Sequence, residues 1–590
     1  MRYSIIMSLR RSLAILVALV AILGACAGPP DGTASASSSS PSQAVTAPPA
    51  DPTSPPCPAP PSRTPGASDA WWTDRVFYEV FVRSFADSDG DGIGDLVGLT
   101  QRLDALNDGD PTTVGDLGVT ALWLMPVAAS PSYHGYDVTD YLAIEPDYGT
   151  NDDFRALVAA ARARGIEIIV DLVMNHTSVD HPWFQEARTP GSQYEDWYHW
   201  ADAFPGFSGP AGRPVWHRDG DRWYYGYFWE GMPDLDVTNP AVTAEMDAIA
   251  RFWVDEMGVA GFRLDAARHL IEEGSTLENV PATFDWLRAF RGRLQGPKPD
   301  VLVLGEVWEA TSMASRYVRE GALDMTFDFD LASQMLQAVR NGDPGSLRII
   351  QSAVTAAYPP GTYAAFLSNH DQDRVFDVVG RDAAKARQAA TLLLTNPGVP
   401  FIYYGEEVGL RGRKPDERIR TPMPWTTEAP GYGFTTAEGP WQPMAEGVET
   451  ANVAAQADDP ASLLSHYRTL IRLRDEHPAL GTRGAIIHLD ASVPGVYAVQ
   501  RHEAVSGEAI VVVSNLSRRP VVDVRLSVAE GPLCGAMSLD TLFAGTDTTG
   551  PTMPPNATAA GGFEDWAFGD VGPNEDLIIR LAPSPSAVSP

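Results

Sequence analysis

The feature that most constrains this chain is a repeated alternation of short apolar, β-branched runs with longer amphipathic stretches, beginning after Trp71. Eight runs read as strands: Val76–Ser84, Ala121–Pro126, Glu167–Leu172, Gly261–Leu264, Val301–Gly305, Met325–Phe327, Ala364–Leu367 and Pro400–Tyr404. Apolar runs of this kind suit strands buried on both faces. Helical periodicity separates most of them, as in Asp152–Arg164, Ala241–Glu256 and Asp382–Thr395, and Ser462–Arg474 closes the series. Parallel strands need such crossovers. Eight units predict an α/β chain folded as a (β/α)8 barrel, with its chemistry at the C-terminal strand ends.

Two stretches break the alternation. About sixty residues rich in Trp, Tyr, Gly and Pro separate the third strand from its helix, a length that predicts an inserted subdomain over 177–236. The barrel is then assigned to 71–176 and 237–478. Past Glu476 come short β runs such as Ile510–Ser514 and Leu577–Leu581, which predict an antiparallel β-sandwich domain over 479–590.

The N-terminus reads as a processing signal over 1–25, with Arg2, Arg10 and Arg11 ahead of the apolar Ser12–Leu23 stretch. Leu23-Gly24-Ala25-Cys26 resembles a bacterial lipobox, which implies lipidation of Cys26 and an exported chain anchored outside the cell membrane. Residues 26–70, rich in Ser, Ala, Thr and Pro, form no core and act as a spacer. Beyond Cys26 only Cys57 and Cys534 remain. Export permits a disulfide between them, and two free thiols are the alternative. A net charge of -33 argues against nucleic acid and anionic membrane surfaces as partners and leaves room for neutral or cationic substrates or a divalent metal.

The strand ends carry the chemistry. Asp171, Asn175 and His176 lie at the end of the third strand, Arg263 and Asp265 of the fourth, Glu306 of the fifth, His370 and Asp371 of the seventh. A lone Asp after a strand is usually a helix cap or turn residue. Four strands ending this way on one rim instead suggest a retaining glycosidase, which needs two carboxyl groups about 5 Å apart. Arg263, two residues before Asp265 and on the same side of the strand, is expected to keep Asp265 ionised and nucleophilic. Glu306 must hold a proton, which requires a raised pKa.

From Trp71 to the end, these segments resemble the α-amylase family, the family 13 glycoside hydrolases. The resemblance implies Asp265 as nucleophile, Glu306 as acid/base and Asp371 as transition-state stabiliser. It places Arg263, His176 and His370 around the attacked sugar, with Tyr136 of "YHGYD" stacking on it and Asp137 supporting the site. His269 is implied at the next sugar, beside Arg268, where many relatives carry Lys. The "MPDLD" and "KPDERIRTPMPW" segments are similar to a group of bacterial extracellular and lipoprotein α-amylases between oligo-1,6-glucosidases and neopullulanases. Exo-acting relatives carry an acid three residues before the stacking tyrosine, and here that position is Tyr133. The resemblance therefore implies a monomeric, endo-acting hydrolase of α-1,4-glucans. The alternatives are an exo-acting α-glucosidase, a transglycosylase such as a trehalose synthase, or a non-catalytic glucan-binding lipoprotein.

One stretch, Phe85 to Asp95 ("FADSDGDGIGD"), starts like an EF-hand, yet the twelfth position that should hold a bidentate Glu is Gly98. Following the first strand, it belongs to a barrel loop. Asp87, Asp89, Asp91, the Ile93 carbonyl and Asp95 offer five oxygens for a static Ca2+, and the family resemblance supports that assignment. The resemblance also implies a second calcium near Asn175 and the His269 carbonyl.

Overall fold

The structure, a computed structural model, describes residues 70–583. The Cys26 lipidation site, the signal and nearly all of the spacer lie outside the described residues. Cys534 is disulfide-bonded, and its partner also lies outside them. Of the two expectations for this cysteine, the free thiol is corrected.

Eight parallel strands close into a barrel, each paired with its neighbours in sequence: β1 Phe77–Val80, β2 Ala121–Leu124, β3 Glu167–Leu172, β4 Gly261–Leu264, β5 Leu302–Gly305, β6 Met325–Phe327, β7 Tyr363–Phe366 and β8 Val399–Tyr403. The first and last pair directly, Phe77 opposite Phe401. Apart from Glu167, every residue of these strands is buried. Phe77, Trp123, Phe327, Phe366 and Phe401 pack among themselves in the barrel interior. Surrounding helices start where the chain supplies caps. Thr150 and Asp153 form a reciprocal capping box on the helix Asn151–Arg162. Asn239 caps Pro240–Asp255 with proline at its first position.

The first strand is shorter than Val76–Ser84. After Val80 the chain turns into a 3-10 segment, Val82–Ser84, because the acidic loop folds back on it. Gly94 N–H donates to the Arg83 carbonyl (2.8 Å), a group a longer strand would have left to a neighbour, and Asp95 N–H donates to the Ala86 carbonyl (2.9 Å).

Between β3 and β4 a three-stranded antiparallel sheet forms from Trp200–Ala201, Trp216–Asp219 and Arg222–Tyr225. The C-terminal part is antiparallel, with a five-stranded sheet and a three-stranded sheet enclosing their own apolar core. Two buried arginines join it to the barrel. Arg474 donates to the carbonyls of Leu394, Asn396, Gly398 and Leu480, and Arg501 to those of Thr395, Leu480, Gly481 and Gly484.

Candidate active site

Arg263 is the centre of the site. On β4 its register puts it beside Asp171 of β3 and Leu304 of β5, and its side chain is buried in the barrel mouth. One guanidinium nitrogen contacts Asp171 (2.6 Å) and Asp265 (2.7 Å), and the other contacts Glu306 (2.8 Å). Its carbon lies 5.4 Å from the Trp123 ring and 5.9 Å from that of Tyr136. A fork of donors suits this arrangement, whereas a lysine would present a point charge to three carboxylates. The sequence led to an expectation of Arg263 beside Asp265 alone; the structure has it shared among three acids.

The electrostatics follow from burial and this sharing. Asp171 is pushed up to about 7 by burial, against the pull of Arg263. Burial also raises Asp265 and Glu306 above their ordinary values, with Arg263 opposing in both cases. Asp265 has two further stabilisers of its charge, a hydrogen bond from Arg263 and the charge of His370. Asp371 opposes ionisation of both acids, and Glu306 also feels Asp265, with the Ala266 N–H (3.1 Å) as its added donor. Ala266, next to Asp265, adopts left-handed backbone (φ 47°). That conformation costs an ordinary residue about 1–2 kcal/mol, and it aims the amide at Glu306.

Across the mouth, His370 and Asp371 leave the end of β7. The His370 imidazole contacts Glu79 of β1 through Nδ1 (2.5 Å), and Tyr136 Oη (2.7 Å) and Asp371 (3.3 Å) through Nε2. Burial disfavours its cation, but Asp371 and Glu79 outweigh burial and push it up to about 10. Asp371 is likewise opposed by burial, yet His370, then Arg420 and Lys414, hold it well below the usual carboxylate range. Arg420 donates to Asp371 (3.0 Å) and to the His370 carbonyl (3.0 Å). Tyr136 Oη donates onward to Asp171 (3.2 Å), and its ring stacks on His370 at 5.6 Å. The mouth is thus one continuous polar network.

The remaining expected residues differ in placement. Asp137 accepts from Ser130 Oγ (2.7 Å) and Ser132 Oγ, so it braces the Tyr136 loop. His176, lowered to about 4 by burial and hence neutral, donates from Nε2 to the Tyr136 carbonyl (3.1 Å). His269 stacks on Tyr227 (4.0 Å) and is lowered to about 3, chiefly by burial. Both its nitrogens are engaged, Nδ1 with the Leu277 carbonyl and Nε2 with Arg268. A sugar contact from His269 would have to displace Arg268, which itself binds Glu309 (2.8 Å) and the Trp308 carbonyl (2.6 Å).

The acidic loop is only partly as expected. Carboxylate oxygens of Asp87, Asp89 and Asp95 lie within 4.8 Å of one another, hard donors of the type Ca2+ takes. Asp91 stands outside that group, and one of its oxygens accepts from Ile93 N–H (2.7 Å). Asp95 also caps the helix Leu96–Gln101 through Gly98 N–H and accepts from Ser88. At the implied second ion, the Asn175 amide donates to Asp234 (3.0 Å), whose other oxygen accepts from Tyr227 N–H. Among the described residues, no group of three metal-ligating side chains includes either His269 or Asp234.

Sequence reasoning assigned no role to Glu79, Arg420, Trp123 or Asp234. Glu79 had a signal, a single acid inside the apolar run "VFYEVFV". Arg420 had none, since nothing in "RIRTPMPW" distinguishes it from Arg418.

Known proteins share this architecture. A family model described as "Alpha amylase, catalytic domain" matches residues 79–483. The chain is 39% identical over 460 residues to "Alpha-amylase 3" of Dictyoglomus thermophilum, covering 77% of this chain and 87% of that protein. "Trehalose synthase/amylase TreS" of Mycobacterium tuberculosis is 35% identical over 517 residues, covering 77% and 83%. The crystal structure of an alpha-amylase from H. orenii matches with a TM-score of 0.75 at 40% identity, covering 86% of this chain and 100% of that one. An eight-stranded barrel with this carboxylate rim and these relatives makes the chain a member of the α-amylase family of glycoside hydrolases.

Proposed function

We propose that the chain hydrolyses α-1,4-glucosidic bonds within starch-like glucans, with retention of configuration. The observation that carries this is the single guanidinium of Arg263 holding Asp265 and Glu306 together on one rim. A shared fork keeps two carboxyls close, as the double displacement requires. Asp265 Oδ attacks the anomeric carbon while Glu306 gives its proton to the departing glycosidic oxygen, leaving a covalent glycosyl-enzyme. Water then attacks the same carbon, Glu306 takes its proton, and Asp265 leaves. Asp371, kept ionised by His370 and Arg420, faces the positive charge that develops on the ring and accepts from its hydroxyls. The acidic loop is proposed to hold Ca2+ through Asp87, Asp89 and Asp95, an ion that would fix the loop's shape.

A second reading, transfer rather than hydrolysis, is favoured by the relatives named trehalose synthase. A time course on soluble starch, maltotriose and maltose separates the two. Mixed maltooligosaccharides of α configuration from starch are expected, and conversion of maltose to trehalose would favour the second. Asp265→Asn should lose activity about a thousandfold or more; near-normal turnover would remove the assigned nucleophile.

A further inference from the structure

The two carboxylates that carry the proposed reaction leave neighbouring strands, Asp265 after β4 and Glu306 after β5. Three residues beyond Asp265 stands Arg268, and three residues beyond Glu306 stands Glu309. These two side chains meet. Arg268 Nη1 donates to Glu309 Oε1 (2.8 Å) and to the Trp308 carbonyl (2.6 Å). Its Nε donates to His269 Nε2 (3.0 Å), with Glu278 3.6 Å away. The Arg268 and Glu309 side chains are 22% and 24% exposed, so this is not a freely solvated pair of the kind that contributes little.

Asn279 closes the arrangement into a ring. In left-handed backbone (φ 58°), it donates its N–H to the Arg268 carbonyl (2.9 Å) and its side-chain amide to Glu309 Oε1 (2.9 Å). Tyr317 Oη donates in turn to the Asn279 side-chain oxygen (2.8 Å). Tyr317 is fully buried on the helix Thr311–Arg319 and stacks on Phe284 (4.1 Å). Side chains thus join the loop after β4, the loop after β5 and the helix that follows it. Glu309 N–H donates to the Val307 carbonyl (2.8 Å), so a tight turn links Glu309 to Glu306 and passes on its position with little slack. The Glu306 carboxylate is itself held by Arg263 and the Ala266 N–H, and Arg268 adds a hold on the loop that bears it.

We propose that Arg268 and Glu309 are positioning residues for catalysis: their ion pair ties the nucleophile's loop to the acid/base's loop and keeps Glu306 where it can protonate the departing oxygen. The inference rests on the hydrolase reading and adds to it two residues that touch no reacting atom. A lysine at 268 would offer one ammonium for partners that the guanidinium reaches from two different nitrogens.

Phenol release from substituted phenyl α-maltosides separates this role from a sugar contact and from a general structural one. A misplaced acid slows departure of a basic leaving group and matters little to an acidic one. Arg268→Ala should therefore lower kcat/KM about ten- to a hundredfold for phenyl α-maltoside, and less than about threefold for the 2,4-dinitrophenyl compound. An equal loss on both, or none on either, overturns the positioning role. Glu309→Ala should show the same dependence, and the double variant should be no worse than the worse single one, because all three lose one shared interaction. Losses that multiply overturn the coupling. If either alanine variant does not fold, Arg268→Lys and Glu309→Gln carry the same expectation with a smaller loss. Amide hydrogen exchange tests the clamp without turnover: faster exchange across residues 306–310 in Arg268→Ala supports it, and unchanged protection overturns it. If the wild type cuts neither the maltosides nor starch, the hydrolase reading fails while this measurement still decides the clamp.

Discussion

At the residue scale, charge is organised by two buried cations. Arg263 is shared by three acids, and His370 is kept protonated by Glu79 and Asp371 against the cost of burial. Glu79 touches none of the reacting atoms and works through His370. Glu79→Gln removes one of the two charges that raise the imidazolium. The alkaline limb of kcat/KM should then move to lower pH, since the cation is lost as pH rises through its lowered pKa. A purely structural role would lower activity equally at all pH values, and a pH–rate profile of this variant distinguishes the two. Asp265, Glu306, Asp371, His370 and Arg263 were legible in the sequence because each ends a recognisable strand. Glu79 was harder to find, because an inward-facing acid on a strand becomes meaningful only when its partner, 291 residues away, is known.

At the element scale, the acidic loop carries two loads. Asp95 is the N-cap of the helix Leu96–Gln101 and one of three converging carboxylates. Asp95→Asn separates them, because asparagine caps as well as aspartate does while contributing no charge to a cation. In a chelator the variant should melt within a few degrees of the wild type. On adding Ca2+ the wild type should gain stability and the variant much less. Equal calcium-dependent gains would show that the ion, if bound, does not use Asp95. The sequence pattern suggested five ligands spaced evenly along the loop. In the structure, backbone N–H groups compete for the same carboxylates: Asp87 accepts from Gly90 and Gly92, and Asp91 from Ile93. Ligand spacing read from sequence cannot reveal that competition.

At the scale of the whole molecule, closing the barrel leaves two adjacent acids buried behind β8. Glu406, pushed up to about 8, accepts from Tyr467 Oη (2.7 Å), and Glu407, pushed up to about 7, accepts from Tyr78 Oη (2.9 Å). Burial is the main cause for both. The fold holds these protons while the unfolded chain releases them from about pH 4.5, so stability falls as pH rises from there to about 8. Asp171 and Asp234, both near 7, act with the same sign. Glu407→Gln keeps an acceptor for Tyr78 and removes one titration. Its urea midpoint should therefore drop less than that of the wild type between pH 5.5 and pH 8. An identical drop would mean that these carboxyls are not the source of the slope.

Period and punctuation in the sequence were enough to determine a parallel eight-stranded barrel with an insertion after β3 and antiparallel strands at the end. Strands buried on both faces are mostly apolar, and helices tend to carry end signals and a one-sided apolar face, so local composition records them directly. The same logic exposed the acids at the strand ends. Only the tertiary structure decided how those acids share Arg263, which carboxylates of the acidic loop converge, and why His269 is already engaged. These depend on distances between residues far apart in the chain. Burial and Coulomb forces act through space, so the sequence names the participants but does not say which of them meet.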